Sequence, residues 1–162
     1  MTMEFSGNVK FAADKMLGRL ARWLRVIGQD VIYGPHLSGY GLVRAARQEG
    51  RLILTRDGGI GKKSPPPYLF IESDRFREQL KQVIEACRLD PLRNAFSRCV
   101  ECNTPFEAIT KAEVEGKVPP YVFATQERFS FCRRCQRIYW PATHQRKMLE
   151  ELKALGSESP GI

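Results

Sequence analysis

Four of the five cysteines in this 162-residue chain stand in two Cys-x-x-Cys pairs, Cys99–Cys102 and Cys132–Cys135. Each pair forms a tight turn that presents two thiolates to one ion, and two such turns complete a tetrahedral shell. Soft sulfur ligands in that geometry suit zinc and leave no position for a reacting water, so the pattern predicts a structural Zn2+. A redox dithiol is the competing reading, but it belongs beside a βαβ pattern, and here both pairs follow one. A second chemistry is written in two acids. Asp14 breaks the short alternating run of Val9, Phe11 and Ala13, and Asp57 follows the apolar run Leu52-Ile53-Leu54-Thr55. A carboxylate just past the C-terminal end of a parallel strand faces the ligand crevice of an open α/β sheet. Two of them form a minimal Mg2+ or Mn2+ site, since hard cations take oxygen ligands and keep several waters. The local alternative is that each acid only caps a turn.

The elements that must position these groups follow from periodicity. Leu17, Leu20, Ala21, Leu24 and Ile27 recur at three and four, one apolar face of a helix that Gly28 is placed to end. Lys15, Arg19, Arg22 and Arg25 repeat at similar spacing, a cationic stripe suited to phosphates. Arg56, beside Asp57, adds another cation. Asp30 to Tyr33 predicts a strand, Leu42 to Glu49 a helix with Ser38 as its N-cap, and Leu52 to Thr55 a strand buried on both faces. The loop GGIGKKSPPP has no Walker A spacing and reads as an ordinary flexible connection. Tyr68 to Ile71 predicts a fourth strand. A helix capped by Ser73 or Asp74 follows to about Arg88, and Cys87 lies on its inner face as a small buried residue. Alternating strands and helices imply a mostly parallel sheet. The expected organisation is an α/β domain over 8–90, a linker over 91–97, a zinc ribbon over 98–148, and a helix end and tail over 149–162. Within the ribbon, Tyr121 to Ala124 predicts a strand after Pro119-Pro120. Phe129, Phe131, Tyr139 and Trp140 are expected to cover its small core, and His144 to be structural.

Charge narrows the partner class. Residues 1–98 carry 17 Lys and Arg against 10 acids, whereas residues 99–162 carry 9 against 8. The basic excess belongs to the α/β part and fits a polyanion such as RNA. No apolar run approaches the ~20 residues that span a bilayer, and the first residues lack a secretory signal. A cytoplasmic protein without a membrane partner is expected, and in that reducing setting the cysteines are free to bind metal.

Five segments taken together, KFAADKMLGRLARWLRVIG, RLILTRDGG, SRCVEC, KVPPYVF and FCRRCQRIYWPATH, resemble the Mut-seven C-terminal RNase family. The resemblance runs from about Lys10 to Met148 with the motifs in the expected order. It implies an α/β, PIN-like three-layer domain with a small, mostly parallel sheet, followed by a C-terminal zinc ribbon. It also implies metal-dependent hydrolysis of RNA by acidic residues. Asp14 matches the acid after the first strand, Asp57 the acid of the LTRD motif, and Asp30 an acid common after the first helix. One departure stands out. Where relatives usually carry an acidic run opening the second helix, this chain has Ser38-Gly39-Tyr40-Gly41. Glu72 and Asp74, after the fourth strand, are candidate replacements. The alternative to a ribonuclease is a catalytically impaired RNA-binding protein that keeps the fold and the zinc.

Overall fold

The structure, a computed structural model, describes residues 8–141 and 143–157, without the side chains of residues 143, 144, 156 and 157. Strands β1 (Phe11–Ala13), β2 (Val31–Ile32), β3 (Leu52–Thr55) and β4 (Tyr68–Phe70) form one sheet in the order β2-β1-β3-β4, every pair parallel. The chain runs from β1 outward to β2, then crosses back to β3 on the other side of β1. The order therefore reverses between β1 and β3, the position at which open α/β sheets leave a crevice at the strands' C-terminal ends. The central strands are apolar on both sides because both faces are covered. On one face, α1 (Gly18–Val26) and α3 (Phe76–Cys87) bury Leu20, Leu24, Leu80 and Val83 against Phe11, Ala13, Leu52 and Leu54. On the other, α2 (Gly39–Glu49) packs Leu42, Val43 and Ala46 on Ala12 and Ile53. Cys87 is buried as expected, and burial pushes its thiol up to about 11.

Two helix ends differ from expectation. The first helix opens as a 3-10 turn over Lys15–Leu17 before α1 begins. Gly28 does terminate it at φ 88°, where an added Cβ would run into the backbone of Asn94. Helix α3 begins at Phe76, so neither Ser73 nor Asp74 is its N-cap. Ser73 instead accepts the Arg75 N–H at 3.0 Å in the preceding turn.

After α3, residues 91–97 are tied down rather than free. Asp90 accepts the amides of Leu92 and Arg93, and the Phe96 N–H donates to the Val26 carbonyl at 2.7 Å. Next comes a three-stranded antiparallel sheet of β5 (Glu107–Ile109), β6 (Phe129–Cys132) and β7 (Arg137–Tyr139), in that order. Helices α4 (Lys111–Val114) and α5 (Pro120–Thr125) fill the connection between β5 and β6. The segment expected as a strand at Tyr121 to Ala124 is therefore helical. Four apolar residues carry no decisive period, and Pro120, in the first helical position, has its φ preset for a helix start. Val122 packs with Val114 and Phe129 into a small core edged by Ile138 and Trp140.

The last element, α6 (Thr143–Ser157), leaves the ribbon and returns to the first unit. Leu152 is fully buried in the α/β core, with Met148 and Leu155 against it. The sequence pattern of Gln145 to Leu155 is itself that of a closing amphipathic helix, and the boundary placed at residue 148 lies inside it. The reason it returns is area: an amphipathic helix needs an apolar partner face, and the α1–α3 side of the sheet supplies a larger one than the ribbon does. The side chain of His144 and the tail from residue 158 lie outside the described residues.

Candidate functional site

Asp14 stands one residue beyond β1 and Asp57 two residues beyond β3, both at the C-terminal edge of the sheet. A third side chain joins them. The Thr55 hydroxyl donates to Asp14 Oδ2 at 2.6 Å and accepts the Asp57 backbone N–H at 2.9 Å. Asp14 Oδ1 accepts the Lys15 amide at 2.8 Å, and the Asp14 amide donates to the Leu54 carbonyl at 2.9 Å. Asp57 Oδ1 accepts the Gly59 amide at 2.9 Å. Asp14 is only 2 % exposed, whereas Asp57 is half-buried. The capping role set out for Asp14 is thus observed. It caps the 3-10 turn, and the same hydrogen bonds fix its carboxylate beside β3. Each carboxylate oxygen retains acceptor capacity after one hydrogen bond, so this all-oxygen donor set fits a hard divalent cation that keeps most of its waters. Thr55 was not singled out from the sequence, although a hydroxyl-bearing residue closing a buried apolar strand is the signal that marks it.

Asp30 is not brought to this site. It precedes β2, and its carbonyl accepts the Phe11 amide at the N-terminal edge of the sheet. At about 3.3 Å per residue, the length of β1 separates it from Asp14 by roughly 13 Å. Its carboxylate accepts from Arg51 at 2.8 Å and from the Asn103 amide at 2.7 Å. Burial pushes its pKa upward, but those two donors outweigh burial and hold it below the ordinary aspartate value. Asp30 is a structural anchor, because strand polarity, invisible in a short motif, decides which end of the sheet an acid occupies. At the C-terminal edge of the sheet α2 opens on Gly39 at φ 52°, with no carboxylate there and only the Lys63 stem nearby. Among the described residues no third acid joins Asp14 and Asp57. Glu72 and Asp74 are exposed and belong to no metal-competent cluster.

The cationic stripe divides. Lys15 is exposed beside Asp14, and Arg19, also exposed, lies over the Phe76 ring at 3.8 Å. Arg22 pairs with Glu101 at 3.3 Å. Arg56 is half-buried and donates to the Ile71 carbonyl at 2.8 Å. Arg25, expected to face RNA, is buried at 8 % exposure. Its guanidinium donates to the carbonyls of Val31 (3.0 Å), Val100 (2.8 Å) and Glu101 (3.4 Å). Each step of three residues falls about 60° short of a full turn, so two steps carry Arg25 about 120° around the helix from Arg19.

The cysteines do converge. The Sγ atoms of Cys99, Cys102, Cys132 and Cys135 all lie within 4.8 Å of one another. Cys99 to Cys135 is 3.9 Å and Cys102 to Cys132 is 3.4 Å. A tetrahedron with metal–sulfur bonds of about 2.3 Å has edges of about 3.8 Å, so the cluster can hold a metal ion. Both turns share one construction. The Asn103 amide bonds Cys99 O at 2.9 Å and the Gln136 amide bonds Cys132 O at 2.8 Å, with Asn103 and Gln136 at φ 72° and 57°. Burial acts upward on the Cys102 thiol, but hydrogen bonds involving Thr104 and the neighbouring sulfurs bring it down to about 6. The bond with Cys102, followed by burial, pushes Cys135 up to about 12. Sulfurs this close cannot all ionise without a cation among them. Tyr139, 3.6 Å from Cys99, is pushed up to about 12 by burial and by that sulfur, so its phenol stays protonated.

A three-layer α/β unit with a parallel sheet, followed by a ribbon whose four cysteines could hold a metal ion, defines a two-part α/β protein. Residues 9–152 match the family model described as the Mut7-C RNAse domain, and the chain belongs to that family. It has no match among curated proteins or among solved structures. No helix among the described residues is long and apolar enough to cross a membrane.

Proposed function

We propose that the protein is a metal-dependent ribonuclease whose Asp14 and Asp57 hold Mg2+ or Mn2+. The observation that carries this reading is the Thr55 hydroxyl, which bonds the Asp14 carboxylate and the Asp57 backbone amide at the sheet's switch point. A divalent cation bound there supplies Lewis-acid stabilisation of phosphodiester charge and lowers the pKa of an attacking water. The chain's own work is positional. Thr55 and the Lys15 amide fix the Asp14 carboxylate, the Gly59 amide fixes that of Asp57, and the exposed Lys15, with Arg19 and Arg56, would supply charge to the phosphates. The ribbon holds a structural zinc ion with no open position, and a reducing, cytoplasmic setting keeps its thiols available. A second reading, RNA binding with impaired cleavage, is favoured by one observation: among the described residues no cluster of three acids forms, and α2 opens on Gly39 without a carboxylate.

Cleavage of a mixed pool of structured and single-stranded RNA with Mg2+ or Mn2+ tests both readings. Wild type is expected to cut, and Asp14→Asn/Asp57→Asn to lose at least 100-fold in rate while still binding. Asp57→Asn alone, at the less buried acid, guards against a folding defect. Binding without cleavage by wild type establishes the second reading, and equal cutting by the double mutant removes these acids from the mechanism.

A further inference from the structure

A groove of about 690 Å3 runs along the outer side of β2, between the α/β unit and the two cysteine turns. Tyr33 and His36, in the segment following β2, line one part of it, and Arg134, within the second cysteine turn, lines another. Tyr33 connects it to the acidic site, because its phenol donates at 2.9 Å to the carbonyl of Lys15, the residue after Asp14. The acids along the groove are already paired: Asp30 and Glu49 with Arg51, and Glu101 with Arg22. The cations are not all so committed. Arg98 donates to the carbonyls of Gly28 and Asn103 while its charge also acts on Asp30, and exposed Arg134 has no partner among the described residues.

The edge of β2 decides what kind of polymer fits. An added peptide strand would need free backbone groups on that edge. At Val31 both are taken: its N–H donates to Asn103 Oδ1 at 3.0 Å and its carbonyl accepts Arg25 Nε at 3.0 Å. What the groove offers instead is the uncompensated guanidinium of Arg134, beside the paired arginines of the lining, and the Tyr33 side chain, 38 % exposed. A positive track with an aromatic platform is the arrangement that binds single-stranded nucleic acid.

We propose that this groove carries the strand of single-stranded RNA flanking the cleavage site, with Tyr33 stacking a base and His36 and Arg134 contacting phosphates. The ribbon then holds substrate as well as metal. The proposal rests on the ribonuclease reading of the Asp14–Asp57 site and extends it to substrate length.

The test compares 5-mer and 15-mer oligouridylates by fluorescence anisotropy without added Mg2+ or Mn2+, and by cleavage with Mn2+. Wild type is expected to bind the 15-mer more tightly than the 5-mer. In His36→Ala/Arg134→Ala, 15-mer affinity should fall about 10-fold, and the salt slope by about 0.7, the value for one cation on a single strand, since Arg134 is the one full charge removed. Cleavage of the 5-mer should be unchanged. Tyr33→Leu should weaken the 15-mer about 10-fold while Tyr33→Phe retains it, because stacking needs the ring and not the hydroxyl. Arg134→Lys, measured with its metal content, keeps the charge and should bind as wild type, which separates a phosphate contact from damage to the cysteine turn. Wild-type affinity and salt slope in the double variant overturn the groove while leaving a cutting enzyme intact. Absence of both cleavage and binding in wild type overturns the ribonuclease reading with it.

Discussion

At the residue scale, Thr55 ties the candidate site together. Thr55→Val keeps the shape but removes the donor to the buried Asp14 carboxylate, and an unsatisfied buried partner costs about 1–3 kcal/mol. The expected outcome in urea unfolding is a destabilisation of that order, largely restored by Thr55→Ser, together with a loss of Mn2+-dependent cleavage. Asp30 has a different signature. Its folded pKa is depressed by Arg51 and Asn103, so its contribution to stability is present above the unfolded aspartate value of about 3.9. That contribution is lost as pH falls through the lower folded value. Asp30→Asn should therefore be less stable than wild type at neutral pH, and the gap should close in acid below about pH 4. Cleavage per folded molecule should not change, and a loss of turnover in folded Asp30→Asn would return that residue to the catalytic set.

At the element scale, the first cysteine turn is fastened to the α/β sheet as well as to the second turn. Asn103 and Arg25 together satisfy both backbone groups of Val31, and Arg25 also grips the turn through Val100 and Glu101. Covering an edge strand in this way removes a template for unwanted pairing. An ion held by the cysteines would also link metal binding to the order of β2, because it would supply folding free energy to the turn that carries Asn103. Metal removal by a chelator should accordingly release hydrogen-exchange protection at the Val31 amide along with the amides of β6 and β7. Unchanged exchange at Val31 in metal-free protein would show that the two units are independent.

At the scale of the whole molecule, α6 returns to the core of the first unit. Leu152 is buried among Leu20, Leu24, Leu80 and Val83 of the first unit's core, and Arg77 pairs with Glu151 at 3.2 Å on the rim. Leu152→Ala should cost about 2–5 kcal/mol, the usual range for emptying a buried leucine site. Because the helix belongs to the α/β core while its start adjoins the ribbon, the loss should appear in one cooperative transition observed equally by far-UV and tyrosine–tryptophan signals. Two separated transitions would show that α6 does not couple the units.

The sequence by itself determined the parts whose signals are local. Two Cys-x-x-Cys turns need only four residues each, and the apolar runs and three-four periodicities set the parallel strands, α1, α2 and α3. The positions of Asp14 and Asp57 just past their strands follow from the same patterns, as does the basic excess of residues 1–98. Tertiary structure decided what depends on neighbours remote in sequence. It buried Arg25 beneath a turn 75 residues away and put Asp30 at the opposite end of the sheet. It brought Thr55 between two acids 43 residues apart and carried α6 back to the first core. The Tyr121 to Ala124 run became a helix because Pro120 and the small ribbon core, rather than strand propensity, set its backbone. A short motif specifies which atoms are available, but strand order, polarity and the covering of each face fix where those atoms meet.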